Sequence, residues 1–134
     1  METVFQILLQ SCGLSHREAA EFLDVRPDTI KSWSSGRRAV PEGAVNQILT
    51  LLKAQAKAAQ ETVRVIQRNP YAETIELGYA SDDAEAQGLG WFCVGAQMGA
   101  LRKVLELLMP EEIVRVKLVP RGSTPGTAAA ADQH

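Results

Sequence analysis

The chain has 134 residues, 46% of them apolar, and a formal net charge of −2. That length holds one domain or two small ones, with enough apolar residues for a core. No apolar run reaches the ~20 residues that cross a bilayer. METVFQ at the start carries no basic region ahead of an apolar stretch, as a secretory signal would. Cys12 and Cys93 stand alone without C-x-x-C spacing, which reads as two buried thiols in a cytoplasmic protein.

Residues 2–12 read as a first helix, with Val4, Ile7, Leu8 and Cys12 at helical spacing and Gly13 closing it. Ser15 and Glu18 stand at capping-box spacing, so a second helix starts at His16. Leu14 and Ala19 are placed for a hydrophobic staple across that start. Ala19, Ala20, Phe22 and Leu23 give the helix an apolar face. Asp24-Val25-Arg26 is too short for anything but a turn. Pro27 suits the first position of a third helix, where its missing N–H costs nothing. Asp28 favours the positive end of that helix. Ile30 and Trp33 point the same way, and Gly36 can end the helix in a left-handed conformation.

Pro41 opens a long helix that runs to about Arg68, where Asn69-Pro70 stops it. Val45, Leu52, Ala59 and Ile66 recur every seven residues, interleaved with Leu49, Ala56 and Val63. The first part of this stripe should pack on the preceding helices. Ala56, Ala59, Val63 and Ile66 are expected at a subunit contact. A strand follows at 73–79, then a helix from about Asp82 to Met109. Ile113 to Val119 alternates cleanly and reads as a second strand. Residues 120–134 are rich in Pro, Gly, Ser, Thr and Ala and are expected to be a disordered tail. Strand, helix, strand makes a βαβ unit. Two strands alone do not make a stable sheet, so a second copy of the chain is expected to complete it.

The stretch from Ser15 to Gly36, with its capping box, short turn, small Ala20 and apolar Val25, Ile30 and Trp33, resembles the Cro/C1-type (XRE-like) helix-turn-helix family. The GRRAVP run that follows is similar to that family too. The resemblance covers roughly residues 2–52. Asp24 stands where the family usually has Gly, and Asp tolerates a left-handed conformation better than most residues. The resemblance implies that the second helix of the pair enters the DNA major groove while the first crosses the backbone. Arg26, Pro27, Asp28 and Ser32 would then face base edges. Arg17, Thr29, Lys31, Arg37 and Arg38 would meet phosphates.

Charge distribution agrees with that docking. Residues 26–38 carry four cations against Asp28, while residues 69–112 carry Arg102 and Lys103 against eight acids. Local sign governs docking on phosphates more than net sign does. Enzyme chemistry is not expected. The glycines at 88, 90, 95 and 99 miss the dinucleotide pattern, because Cys93 stands where a third Gly belongs. His16 and His134 have no partner at metal-ligand spacing. No catalytic residues, metal or cofactor are therefore assigned. Gly95 and Gly99 instead suggest close helix packing across a dimer axis. Trp91 and Phe92 suit core or interface packing more than a ligand pocket.

Together these observations predict a mainly α chain. Residues 1–52 form a four-helix, Cro/C1-like module with a long fourth helix, and residues 53–119 form a small strand-helix-strand dimerisation unit. Residues 120–134 are the tail. Ala56, Ala59, Val63, Ile66, Gly95, Gly99, Val114, Val116 and Leu118 are the expected dimer contacts. The expected function is a transcriptional regulator, a repressor, that binds double-stranded DNA as a homodimer away from membranes. The alternative is an antitoxin-like protein whose C-terminal half binds a cognate protein partner.

Overall fold

The computed structural model describes residues 2–121. Among them are seven helices and one two-stranded sheet. In chain order these are α1 (Val4–Cys12), α2 (His16–Leu23), α3 (Pro27–Ser35), α4 (Glu42–Gln67), β1 (Ile75–Tyr79), α5 (Asp83–Gly88), α6 (Val94–Leu107), α7 (Pro110–Ile113) and β2 (Val116–Pro120). The chain is mainly helical, and no described helix is long and apolar enough to cross a membrane.

Local signals set the first three helices. Thr3 caps α1 by accepting the Gln6 amide at 3.1 Å, and Gly13 closes it at φ 82°. Ser15 and Glu18 form the expected capping box on α2. Asp24 ends that helix at φ 55°, the left-handed conformation expected of it. Pro27 opens α3 and Gly36 ends it at φ 83°. Pro41 lies just outside α4, as its cap, rather than inside it.

Two apolar clusters hold the chain together. The first gathers Phe5, Leu9, Cys12, Ala20, Ile30, Trp33 and Ile48 from α1 to α4, and adds Cys93 and Ala96 from the α6 end. The second joins Ala59, Val63 and Ile66 of α4 to Ile75 and Leu77 of β1 and to Leu101, Val104 and Leu108. Residue 52 is therefore not a gap in the packing. Gln55, fully buried on α4, donates through Nε2 to the Cys12 carbonyl and the Ala96 carbonyl, each at 2.8 Å. Burying an amide is tolerable only when it is bonded in this way.

The sheet is parallel, as the βαβ reading required, with Ile75 beside Val116, Leu77 beside Leu118 and Tyr79 beside Pro120. Five expectations need correction. The helix expected over 82–109 is two helices, because Gly88 and Gly90 lower helix propensity and Gly90 adopts φ 91°. Asp83 Oδ1 and Glu18 Oε2 then accept the first free amides of α6, those of Val94 and Gly95, at 3.0 and 2.8 Å. The second strand starts at Val116, because Pro110 opens a short helix with Glu111 and Glu112 in its first turn. It also extends beyond 119: Pro120 is its last residue, and the Arg121 amide donates to the Tyr79 carbonyl at 2.9 Å. Residues 122–134 of the expected tail lie outside the described residues.

The third and fourth corrections concern the dimer contacts. Gly95 and Gly99 pack inside one chain. A Cβ on Gly95 would stand 2.3 Å from the Gly13 carbonyl oxygen, and one on Gly99 would stand 2.4 Å from that of Cys12. The glycines let α6 touch the end of α1, so they are not a dimer face. Ala59, Val63 and Ile66 are likewise consumed by the second cluster, because β1 and α6 cover that side of α4. Ala56 is half-buried at the margin of the same packing. The buried stripe in the first half of α4 is also rotated from the heptad reading: Ile48, Leu51 and Gln55 are buried, while Leu49 is exposed.

Candidate nucleic-acid interface

Helix α3 is fixed from behind. Ile30 is fully buried, and Trp33 meets Phe5 edge to face with ring centroids 5.7 Å apart. Burying an isoleucine side chain contributes about 1.5–3 kcal/mol, and an aromatic pair adds about 0.5–1.5 kcal/mol beyond area. The short connection to α2 is held by the Val25 amide, which donates to the Ala20 carbonyl at 2.9 Å. With Ile30 and Trp33 inward, the opposite face of α3 is presented to solvent.

Arg26, Pro27, Asp28 and Lys31 are exposed on that face, with Thr29 half-buried beside them. Arg37 and Arg38 are exposed on the loop that follows. Arg17 is exposed at the start of α2, where it forms an ion pair with Glu21 at 3.0 Å. An exposed i,i+4 pair of this kind is worth only about 0.3–0.5 kcal/mol, so Arg17 remains available to a phosphate.

Ser32 is not on the exposed face, which corrects its expected base-facing role. It is buried, and its hydroxyl accepts a bond from the Arg37 guanidinium at 3.1 Å. Its carbonyl accepts the Arg38 amide at 3.3 Å. Ser32 therefore holds the basic loop against α3. Ser35, exposed one turn beyond Lys31, takes the outward position. Its signal was in the sequence, since 27, 31 and 35 follow the i, i+4 spacing of a face opposite Ile30 and Trp33, with 28 three before 31.

A second group was invisible in the sequence. The Glu18 carboxylate accepts the Ser15 amide at 3.0 Å and the Gly95 amide at 2.8 Å. Burial by itself would push this carboxyl up. The Ser15 and Gly95 amides, the Cys93 thiol and the Ser15 hydroxyl outweigh it, and the carboxyl is held below its ordinary value. One residue thus caps α2 and also caps α6. Phe22 of α2 adds a ring contact to Phe92 at 5.4 Å. The α2–α3 pair is joined to the C-terminal half through both contacts. Burial, with a smaller contribution from the Glu18 carboxylate, pushes the Cys93 thiol up to about 12, and burial raises Cys12 as well.

Trp91 is half-buried and lines a shallow cleft of about 170 Å³ between α4, β1 and α6. Gln97, at the cleft wall, is already bonded to the Gly78 carbonyl and the Ala80 amide. No cluster of potential metal ligands occurs among the described residues. No protein-family model matches the chain, and no curated protein matches it.

Proposed function

We propose that the chain is a cytoplasmic helix-turn-helix regulator, a repressor, that binds double-stranded DNA as a homodimer. The observation that carries this reading is the α3 surface. A short helix is anchored by Ile30 and Trp33, and its free face holds Arg26, Asp28 and Lys31 beside the exposed Arg37 and Arg38. In such an arrangement α3 lies in the major groove and its N-terminal residues meet base edges. Arg26 then donates to guanine and Asp28 accepts from a cytosine amine. Lys31, Arg37, Arg38 and Arg17 neutralise phosphates, and Thr29 bonds to one. Ser32 acts indirectly, by holding Arg37.

Selection from random duplex DNA, followed by a salt titration of the selected site, tests this. Binding should weaken with a log–log slope of about −0.9 for each phosphate contact formed. Asp28→Ala should cost about 1–3 kcal/mol on the selected site and relax the base preference there, while Arg38→Ala should weaken all sequences alike. Affinity that is flat in salt, or a selected sequence unchanged by Asp28→Ala, would refute groove docking by α3.

A further inference from the structure

The two edges of β1 are used differently. In the parallel ladder the Ile75 amide donates to the Arg115 carbonyl at 2.8 Å, and the Tyr79 carbonyl accepts the Arg121 amide at 2.9 Å. Residues 75, 77 and 79 therefore bond toward β2, and the peptide groups of Glu76, Gly78 and Ala80 point the other way. One stretch of that far edge is filled by a side chain. The buried Gln97 carboxamide donates through Nε2 to the Gly78 carbonyl at 3.2 Å and accepts the Ala80 amide at Oε1 at 3.3 Å. It spans a carbonyl and the amide two residues on, as a neighbouring strand would. The same pair recurs one step earlier, at the Glu76 carbonyl and the Gly78 amide. Neither group has a partner among the described residues. Glu76 and Gly78 are half-buried, and with Gln97 they form one wall of the cleft of about 170 Å³. The other walls are mostly apolar, with Ala59 of α4, Leu101 and Val104 of α6, and Trp91. Peptide groups at such a wall are costly to leave unpaired.

We infer that this cleft is a binding site for a small planar carboxamide carried on a single ring. The carboxamide oxygen accepts the Gly78 amide, its N–H donates to the Glu76 carbonyl, and the ring lies among Trp91, Leu101 and Val104. Gln97 is the precedent for that chemistry, because its own carboxamide bridges the identical pair of backbone groups two residues along. The edge demands one donor and one acceptor held side by side. A carboxylate lacks the donor and would set a negative oxygen against the Glu76 carbonyl. A hydroxyl offers only one atom for two groups spaced along a strand. An added peptide strand fits less well, since Gln97 already holds the Gly78 carbonyl and the Ala80 amide and would have to be displaced. Size agrees: an apolar cavity of about 150 Å³ takes a benzene ring, so about 170 Å³ takes one ring with one small polar group. An apolar hollow with a few convergent polar groups is the usual form of a small-molecule site.

The test is benzamide titrated into the full chain without DNA, followed by amide NMR. The Gly78 amide resonance should move in a saturable way at millimolar benzamide or below. Acetophenone has the same size and the same carbonyl, with a methyl in place of the NH₂. It should bind about two- to twelvefold more weakly, the loss of one hydrogen bond. Gly78→Pro removes the edge N–H without touching the ladder to β2, and should weaken benzamide by a similar factor, read at the Glu76 and Trp91 resonances. Should Gly78→Pro fail to fold, Ala58→Phe decides: it fills the cleft from the half-buried wall of α4 and should abolish the shift. An unmoved Gly78 amide, acetophenone binding as tightly as benzamide, or undiminished binding by the folded variants overturns the inference. A blocked tri-alanine peptide that moves the same resonances at lower concentration also overturns it, since the edge would then be taking a strand. The readout needs no duplex, so its outcome is independent of the DNA reading.

Discussion

Gly99→Ala is the most direct probe of how α6 is seated. A Cβ at this position would lie 2.4 Å from the Cys12 oxygen, 2.9 Å from the Cys12 carbonyl carbon and 2.5 Å from Gln55 Nε2. Two of these atoms are backbone, so they cannot rotate away. Relief requires α6 to retreat from α1 by roughly 1 Å, and overpacking of this kind costs about 1–3 kcal/mol. The retreat also stretches the two 2.8 Å bonds made by Gln55, each worth about 0.5–1.5 kcal/mol. Against this, replacing a mid-helix glycine by alanine returns about 0.5–1 kcal/mol. The net loss is about 2–3 kcal/mol, or about 6–15 °C in Tm for a chain of this size. Gly43→Ala is the control. No atom lies within 4 Å of its built Cβ, so the helix preference acts alone and Tm should rise by about 2–5 °C. Calorimetry or thermal circular dichroism reads both. If Gly99→Ala proved as stable as wild type, the close approach of α1 and α6 would be wrong.

Two further outcomes follow from buried groups. The Glu18 carboxyl is held below its ordinary value in the folded chain, so its stabilising contribution is full above the unfolded carboxylate range, near pH 4.3, and is lost as pH falls through the folded value. Glu18→Gln should therefore lower the urea midpoint at neutral pH and flatten its decline on acidification; an equally steep decline would remove Glu18 from the link. Cys93, pushed up to about 12, and Cys12, also raised, should react with iodoacetamide at pH 8 only slowly when folded and quickly in urea, as mass spectrometry would report, and rapid labelling of either native thiol would contradict their burial.

The N-terminal helices were legible because their determinants are local. Thr3, Ser15, Asp24, Pro27 and Gly36 act within a turn of where they stand. The parallel pairing of β1 and β2 also followed from chain order. What stayed hidden was long-range partnership. Glu18 reads completely as half of a capping box, and nothing adjacent to it announces the Gly95 amide 77 residues on. Gln55 looks like a surface polar residue until the Cys12 and Ala96 carbonyls close around it. Gly95 and Gly99 announce close approach but not which backbone comes close. Ser32 was misplaced although the spacing of 27, 31 and 35 already marked the outward face, and Ser32 lies one residue beyond Lys31 toward the buried Trp33.

The Gln55 clasp and the seat of Cys93 and Ala96 in the first core bear on when this protein becomes competent during its own synthesis. Helix α3 is complete by Ser35, but α6 ends at Leu107, roughly seventy residues later. At about 5–20 residues per second that interval lasts about 4–14 s. Throughout it, the α1–α4 segment lacks part of its core and leaves Gln55 with the Cys12 carbonyl but without the Ala96 carbonyl, so the surface on α3 sits on an unfinished support. An emerging or prematurely terminated chain is thus kept from presenting a finished α3 surface. Only a chain translated through Leu107 has the scaffold to hold that surface in place.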